Sequence, residues 1–301
     1  TRNRTSDGGH RIKINCTTNE AMSSIDLYNS TALACSKAAT QRYSTSFSLG
    51  IKLLGSPVRE AIYSVYGFVR FADEIVDTFH DHDKASLLER FRQDTFRAMD
   101  EGISTNPILQ SFQITANRYC IDKELIGSFF DSMAMDLNFK EYDRKSYQSY
   151  IYGSAEVVGL MCLRVFYRDE HQKYETLKFS ARKLGEAFQK VNFLRDVQAD
   201  IDERGRTYFP HVDLKNFSLV QKEQIEKEIE KDFQDAYDGI VQLKREARLG
   251  VYIAYIYYQK LFRKIKKKSP TDIMQQRIRI SNWTKIALLF RGLIRHEFGR
   301  V

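Results

Sequence analysis

From Ile62 to Asp77 the chain reads IYSVYGFVRFADEIVD, and its last acidic residues fall where an amphipathic helix should be apolar. At about 100° per residue, Ile62, Val65, Tyr66, Val69, Asp73, Val76 and Asp77 share a sector of roughly 120°. The opposite face carries Phe68, Phe71 and Ile75, which predicts a helix buried on both sides. A buried carboxylate without a partner is costly, so Asp73 and Asp77 need either a cation or a water-filled cavity. Only a fold that keeps a polar space inside apolar surroundings accommodates this helix.

A second stretch makes the same demand. NFLRDVQADIDERGRTYFP spans residues 192–210. In the helix that leads into it, Gly185, Gln189, Asn192, Asp196 and Asp200 cluster within about 60–80°, with Leu184, Ala187, Val191, Leu194 and Ile201 on the other side. A solvated face is ordinarily a mixture of Lys, Glu and Arg, whereas this one is glycine, amide and carboxylate, as in the wall of a polar cavity. Asp202 and Glu203 fall off that face and are expected in solvent, and Gly205 to Pro210 are expected to form a flap over the cavity mouth.

Four Pro and fifteen Gly are few for 301 residues, and good helix formers recur in long runs, which predicts an all-α protein. Turn signals at Gly55-Ser56-Pro57, Gly102–Pro107, Tyr142–Ser146, Gly205–Asn216 and Ser269-Pro270 divide it. The helices predicted between them cover 25–43, 57–79, 84–100, 107–119, 122–139, 146–168, 172–203, 218–247, 249–268 and 271–297, with Ser56 as an N-cap and Pro57 in a first turn. No flexible linker or internal repeat interrupts them, so one domain is expected from about residue 24 to 301. Residues 1–22 are polar and aperiodic, as in a disordered arm or an expression remnant.

The net charge of +8 suits an anionic partner without saying which. Cys16, Cys35, Cys120 and Cys162 lie far apart and are expected as ordinary core residues of a protein in a reducing cytoplasm. No run reaches the roughly 18–20 apolar residues of a membrane-spanning helix, and none resembles a signal peptide.

In each Asp-x-x-x-Asp pair the carboxylates sit one helical turn apart, where like charges repel unless a cation intervenes. Mg2+ meets this need, with Mn2+ as an alternative. It takes one or two carboxylates, keeps several waters and completes its octahedron with phosphate oxygens. Two such helices facing each other would clamp a diphosphate, with Arg70 and Arg195 placed to bind the same phosphates. No Gly-rich phosphate loop competes for that role.

The residues here resemble a known family. YGFVRFADEIVD (66–77) and NFLRDVQADIDERGRTYFP are similar to the two aspartate-rich motifs of the squalene and phytoene synthases, the head-to-head prenyl transferases. YSTSFSLG (43–50), YIYGSAEVVGLM (150–161) and LGEAFQKVN (184–192) extend the resemblance over nearly the whole chain after residue 24. It implies the all-α isoprenoid synthase fold, with helices around a deep central cavity. It also implies that Asp73, Asp77, Asp196 and Asp200, beside Asn192, bind Mg2+. Ser44, Ser46, Tyr66, Arg70, Arg195, Tyr257 and Arg277 would contact substrate diphosphates, Gln189 would line the cavity beside the metal, and Phe47, Ala155 and Val158 would line the substrate site.

The implied reaction is ionisation of an allylic diphosphate, attack by the double bond of a second substrate to give a cyclopropyl diphosphate, and its rearrangement to a hydrocarbon. Phe47, Tyr66 and Tyr257 are candidates for shielding the cation, and Ile51, Val69, Val157, Val158, Leu160 and Met161 for lining the tail channel. The GRTYFP ending resembles phytoene synthases more than squalene synthases, and the chain ends at HEFGRV without a membrane anchor. The expected reaction is therefore condensation of two geranylgeranyl diphosphates to phytoene, the first committed step of carotenoid biosynthesis, without NADPH. The alternative is a thirty-carbon product from farnesyl diphosphate. Gln198-Ala199 and Tyr43 depart from many relatives, which bears on chain length and on groups around the site.

Two other roles lie outside that chemistry. Some relatives are assembly factors rather than enzymes, but a scaffold has no reason to keep repelling carboxylates on inner faces. A helical nucleic-acid binder would use KLFRKIKKK (260–268) on phosphate backbones, but such runs are ordinarily solvated helix ends. No nucleic-acid partner is expected, and peripheral contact of this cytoplasmic protein with an anionic membrane is the next role for that run.

Overall fold

The structure, a computed structural model, describes residues 23–138, 142–202, 208–210, 212 and 217–297, without the side chains of 201, 202 and 297. The arm 1–22 with Cys16, the solvated pair Asp202 and Glu203, and the Gly205–Thr207 part of the flap lie outside this description. All regular structure among the described residues is helical. The N-terminal half comprises α1 (Ser24–Tyr43), α2 (Thr45–Lys52), α3 (Ser56–Asp77), α4 (Lys84–Glu101), α5 (Pro107–Arg118) and α6 (Lys123–Asn138). It is followed by α7 (Arg144–Ile151), a π turn (Tyr152–Glu156), α8 (Val157–Phe166), α9 (His171–Asp202), α10 (Leu219–Ile240), α11 (Arg245–Lys266), α12 (Pro270–Gln275) and α13 (Asn282–Glu297).

Four differences from the sequence reading have physical causes. Helix α2 is too short for its periodicity to show, and it forms because the Ser44 side chain caps it by accepting from the Phe47 N–H. Gly55, not Ser56, is the N-cap of α3, and its own N–H donates to the Glu246 carbonyl at 3.0 Å. The break expected near residue 248 falls instead at 241–244, because Tyr167 reaches across the fold to the turn. Its hydroxyl donates to the Gln242 carbonyl at 3.4 Å and accepts from the Lys244 N–H at 2.9 Å. The single helix expected over 271–297 is two, with Ile278 and Ile280 buried between them.

What fixes α3 and α9 is their backs. Phe68 stacks on Phe112 at 3.8 Å between ring centroids and meets Phe129 and Phe130 at 5.3 and 5.5 Å, pinning α3 against α5 and α6. Fully burying one such ring stabilises by about 1.5–3 kcal/mol. Phe71, expected inside on the same face, is exposed at its edge. On α9, Ala187, Val191 and Leu194 are buried, as are Ile229 and Phe233 of the adjoining α10. The two helices are also tied by Lys190, buried yet bonded to Asp232 at 2.8 Å and to Glu186 at 2.7 Å. Burial alone would lower the Lys190 pKa, but these carboxylates outweigh it and hold it above the ordinary lysine range.

The π turn is clamped from both sides. A Cβ on Gly153 would lie 2.3 Å from the Ser128 carbonyl oxygen of α6, and one on Gly185 of α9 would lie 2.5 Å from the Ala155 carbonyl oxygen. Only hydrogen fits at either point. Gly153→Ala should therefore destabilise the protein by about 1–3 kcal/mol, read as a fall of several degrees in the midpoint of thermal unfolding followed by circular dichroism. An unchanged midpoint would show that α6 can move away without penalty.

Candidate active site

Helices α3, α8, α9 and α11, with α2, enclose a cavity of about 580 Å3. Its polarity runs along each of them. On α3 the lining passes from Ile62 and Val65 through Tyr66 and Arg70 to Asp73 and Asp77. On α9 it passes from Leu177 and Ala181 through Gln189 and Asn192 to Asp196 and Asp200. At 1.5 Å per residue that α9 edge is roughly 35 Å long. One end is thus rich in carboxylate and guanidinium, while Phe166, Leu177 and Leu243 line the other.

The residues expected at the metal, the diphosphates and the adjoining substrate site line this cavity: Ser44, Ser46, Phe47, Tyr66, Arg70, Asp73 and Asp77 from the N-terminal helices, and Ala155, Val158, Gln189, Asn192, Arg195, Asp196, Asp200, Tyr257 and Arg277 from the rest. The tail channel is corrected in part. Ile51, Val69 and Val158 line the cavity, whereas Val157, Leu160 and Met161 pack in the core and the lining role passes to Gly159, Cys162, Leu163 and Phe166. A periodic apolar run does not say which of its sides faces a void. Leu184, expected on the back of α9, also faces the cavity.

Asp196 is held by two arginines. Arg195 Nε donates to both of its carboxylate oxygens at 3.0 and 3.1 Å, and Arg277 Nε approaches from the extended segment after α12 at 2.7 Å. Burial opposes the Arg195 charge, but the Asp196 carboxylate and the neighbouring Tyr258 and Tyr257 hydroxyls hold it more firmly protonated than a free arginine. Arg70 pairs with Glu74, lies 4.0 Å from Asp73 and stacks 4.4 Å above the Tyr43 ring. Burial raises the Tyr66 pKa against the opposing pull of its hydrogen bond with Ser44 and of the Arg70 charge.

No three acidic, His or Cys side chains among the described residues come together as a metal cage. The donors are nonetheless all hard oxygen, carboxylate with the Asn192 and Gln189 amides, in two groups on facing helices. That set suits a small divalent cation completing its shell with water and phosphate.

Between the polar and apolar ends lies an aromatic cluster that the sequence reading found only in part. Phe188 stacks on Tyr258 at 3.9 Å, and Phe47 meets Tyr258 at 5.7 Å and Tyr66 at 6.0 Å. The Tyr258 hydroxyl donates to Asn192 Oδ1 at 3.2 Å, and burial pushes its pKa up to about 12. Phe188 lies three residues after Gly185 and four before Asn192, at the edge of the cavity face already suspected, so its position could have been read; Tyr258 could not be chosen over Tyr257 without knowing how α11 is rotated. Lys285 of α13 was missed outright. It donates to Thr45 Oγ1 at 2.6 Å and lies 5.8 Å from the centre of the Tyr257 ring, beside the mouth, and burial lowers its pKa.

Residues 40–284 match the sequence model of the family described as squalene/phytoene synthase. The chain belongs to that family. Its members are prenyl transferases that join isoprenyl diphosphates head to head. The chain is 26% identical over 278 residues to the phytoene synthase of Arthrospira platensis, covering 83% of this chain and 88% of that one. It is 24% identical over 268 residues to the 4,4'-diapophytoene synthase of Staphylococcus haemolyticus, covering 81% and 90%. A crystal structure of a dehydrosqualene synthase with ligand superposes with a TM-score of 0.77 at 20% identity, over 90% of this chain and 98% of that one, which shows the all-α isoprenoid synthase fold.

The cysteines are not uniformly core residues. Cys120 is exposed and Cys35 half-buried, while Cys162 lines the family's cavity and burial pushes its thiol up to about 12. At pH 8 Cys162 is thus a protonated, poor nucleophile. Brief treatment with iodoacetamide should label Cys120 and spare Cys162, as read by peptide mass mapping, and rapid labelling of Cys162 would contradict its raised pKa.

Proposed function

We propose that this protein condenses two molecules of geranylgeranyl diphosphate head to head to phytoene. The observation that carries the reading is the polarity gradient of one cavity: two aspartate pairs and three arginines at one end, aromatic rings in the middle, and an apolar far end. In the first half-reaction the allylic C–O bond of one substrate breaks, its electron pair leaves with diphosphate, and the double bond of the second substrate attacks the cation. Loss of a proton closes the cyclopropane and leaves a cyclopropyl diphosphate. A second C–O cleavage, rearrangement and proton loss give the hydrocarbon and a second diphosphate, with no reductant consumed.

In this reading Arg70, Arg195 and Arg277, with Lys285, bind the departing diphosphates through charge-assisted hydrogen bonds. Tyr66, Ser44 and Ser46 orient them. Asp73, Asp77, Asp196 and Asp200, beside Asn192 and Gln189, would hold Mg2+, or Mn2+ in its place, which supplies further neutralisation of leaving-group charge. Phe47, Tyr66, Phe188, Tyr257 and Tyr258 present ring faces to the carbocation and exclude water, while Ala155 and Val158 flank the tails. Peripheral contact with an anionic membrane belongs to the same reading, since the product is a hydrocarbon. A thirty-carbon product from farnesyl diphosphate is the second reading, favoured by the similarity to a 4,4'-diapophytoene synthase over nearly the same length.

One incubation tests this. Purified protein with Mg2+ and geranylgeranyl diphosphate should yield phytoene without NADPH, by chromatography of extracted hydrocarbons. Product from farnesyl diphosphate alone would select the second reading, and no hydrocarbon or cyclopropyl intermediate from either substrate would defeat both. Asp73→Asn or Asp196→Asn should lower turnover by about 10²–10³-fold or more with the helical circular dichroism unchanged. Near-normal rates would remove these residues from the site. Phe166→Ala deepens the apolar end and should move the ratio of kcat/KM values toward the longer substrate; an unchanged ratio would place the length limit elsewhere.

A further inference from the structure

The last helix turns its apolar side outward. In an ordinary surface helix the solvent face is polar. On α13, Trp283, Ile286, Phe290 and Ile294 are 82%, 43%, 61% and 57% exposed. At about 100° per residue these four fall, with Ala287, in one sector of roughly 100°. The opposite side is already occupied: Gly292 packs so closely on α11 that a Cβ there would lie 2.1 Å from Ile253 Cδ1, and Lys285 reaches Thr45. The outward stripe is therefore not a core face left turned by chance.

Its surroundings carry one sign of charge. From Arg277 to His296 the chain holds Arg277, Arg279, Lys285, Arg291 and Arg295 and no acidic residue. Arg279 and Arg291 are exposed, and Lys264 of α11, also exposed, joins them by donating to the Arg279 carbonyl at 2.6 Å. A second copy of the chain would cover the apolar stripe but bring this cationic border against itself, since a two-fold interface pairs the same patch on both sides. An anionic bilayer satisfies both features at once: acyl chains take the apolar stripe, and lipid phosphates take the arginines and lysine. A tryptophan at one end of the stripe suits the headgroup boundary.

We infer that α13 is an interfacial helix that lays Trp283, Ile286, Phe290 and Ile294 into the surface of an anionic membrane, with Arg279, Arg291 and Lys264 on the headgroups. This deepens the membrane contact of the proposed function and rests on it, but it replaces the 260–268 run with α13 as the main docking element. On the other side of the same helix Lys285 reaches Thr45 Oγ1 and the ring of Tyr257, which lines the cavity.

Trp283 is the chain's single tryptophan, so its fluorescence reports on this face directly. Adding vesicles of phosphatidylcholine with a minority of phosphatidylglycerol should shift its emission to the blue and reduce acrylamide quenching several-fold. Phosphatidylcholine vesicles alone or high salt should weaken both effects. Phe290→Ser with Ile294→Ser should abolish the shift, while circular dichroism and hydrocarbon synthesis from detergent-dispersed substrate stay as in the parent. If the protein sediments with the vesicles while Trp283 remains in water, membrane contact stands and the assignment to α13 falls. If Trp283 is shielded without lipid and the mass is that of a dimer, a second copy is the occupant and the inference is overturned. The fluorescence, sedimentation and mass readouts use no substrate, so they stand apart from the hydrocarbon assay.

Discussion

Two carboxylates one turn apart on a helix repel each other, and here two such pairs are kept on inward faces. That is tolerable only if the helices bearing them cannot rotate away from the cavity. The restraint lies on the other side of each helix. Phe68 is locked among Phe112, Phe129 and Phe130 behind Asp73 and Asp77. Ala187, Val191 and Leu194 are buried behind Asp196 and Asp200. Burial of these apolar faces offsets the electrostatic cost of the acidic ones, and so sets the width and polarity of the cavity.

The rest of the site follows from that restraint. Arg195 can only lie beside Asp196 because it is the adjacent residue on a helix that cannot turn, and Arg277 completes the group from an extended segment held by buried Ile278 and Ile280. The π turn carries Ala155 on its cavity side, and Gly153 lets α6, and Gly185 lets α9, approach it to backbone contact. A side chain at either glycine would have to push these helices apart.

Helix α13 links the inside and the outside of the molecule. Its inner side carries Lys285 against Thr45 and the Tyr257 ring, and its outer side is apolar with a cationic border. If the product is the hydrocarbon proposed above, it has no aqueous solubility, and docking of α13 on a bilayer would shorten its path through water.

The all-helical class and the two acidic faces were legible in the sequence, because helix periodicity and the cost of burying charge are properties of neighbouring residues on one element; Ser44, Ser46, Tyr257 and Arg277 were named only through the family resemblance. What lay beyond it involved contacts between elements far apart in the chain. The break at 241–244 depends on Tyr167, and the split between α12 and α13 on the burial of Ile278 and Ile280. Whether Val158 or Val157 faces the void depends on how α8 is rotated against α9, and the roles of Tyr258 and Lys285 depend on how α11 and α13 are seated. Local spacing determines which residues share a face; only packing between distant segments decides what that face meets.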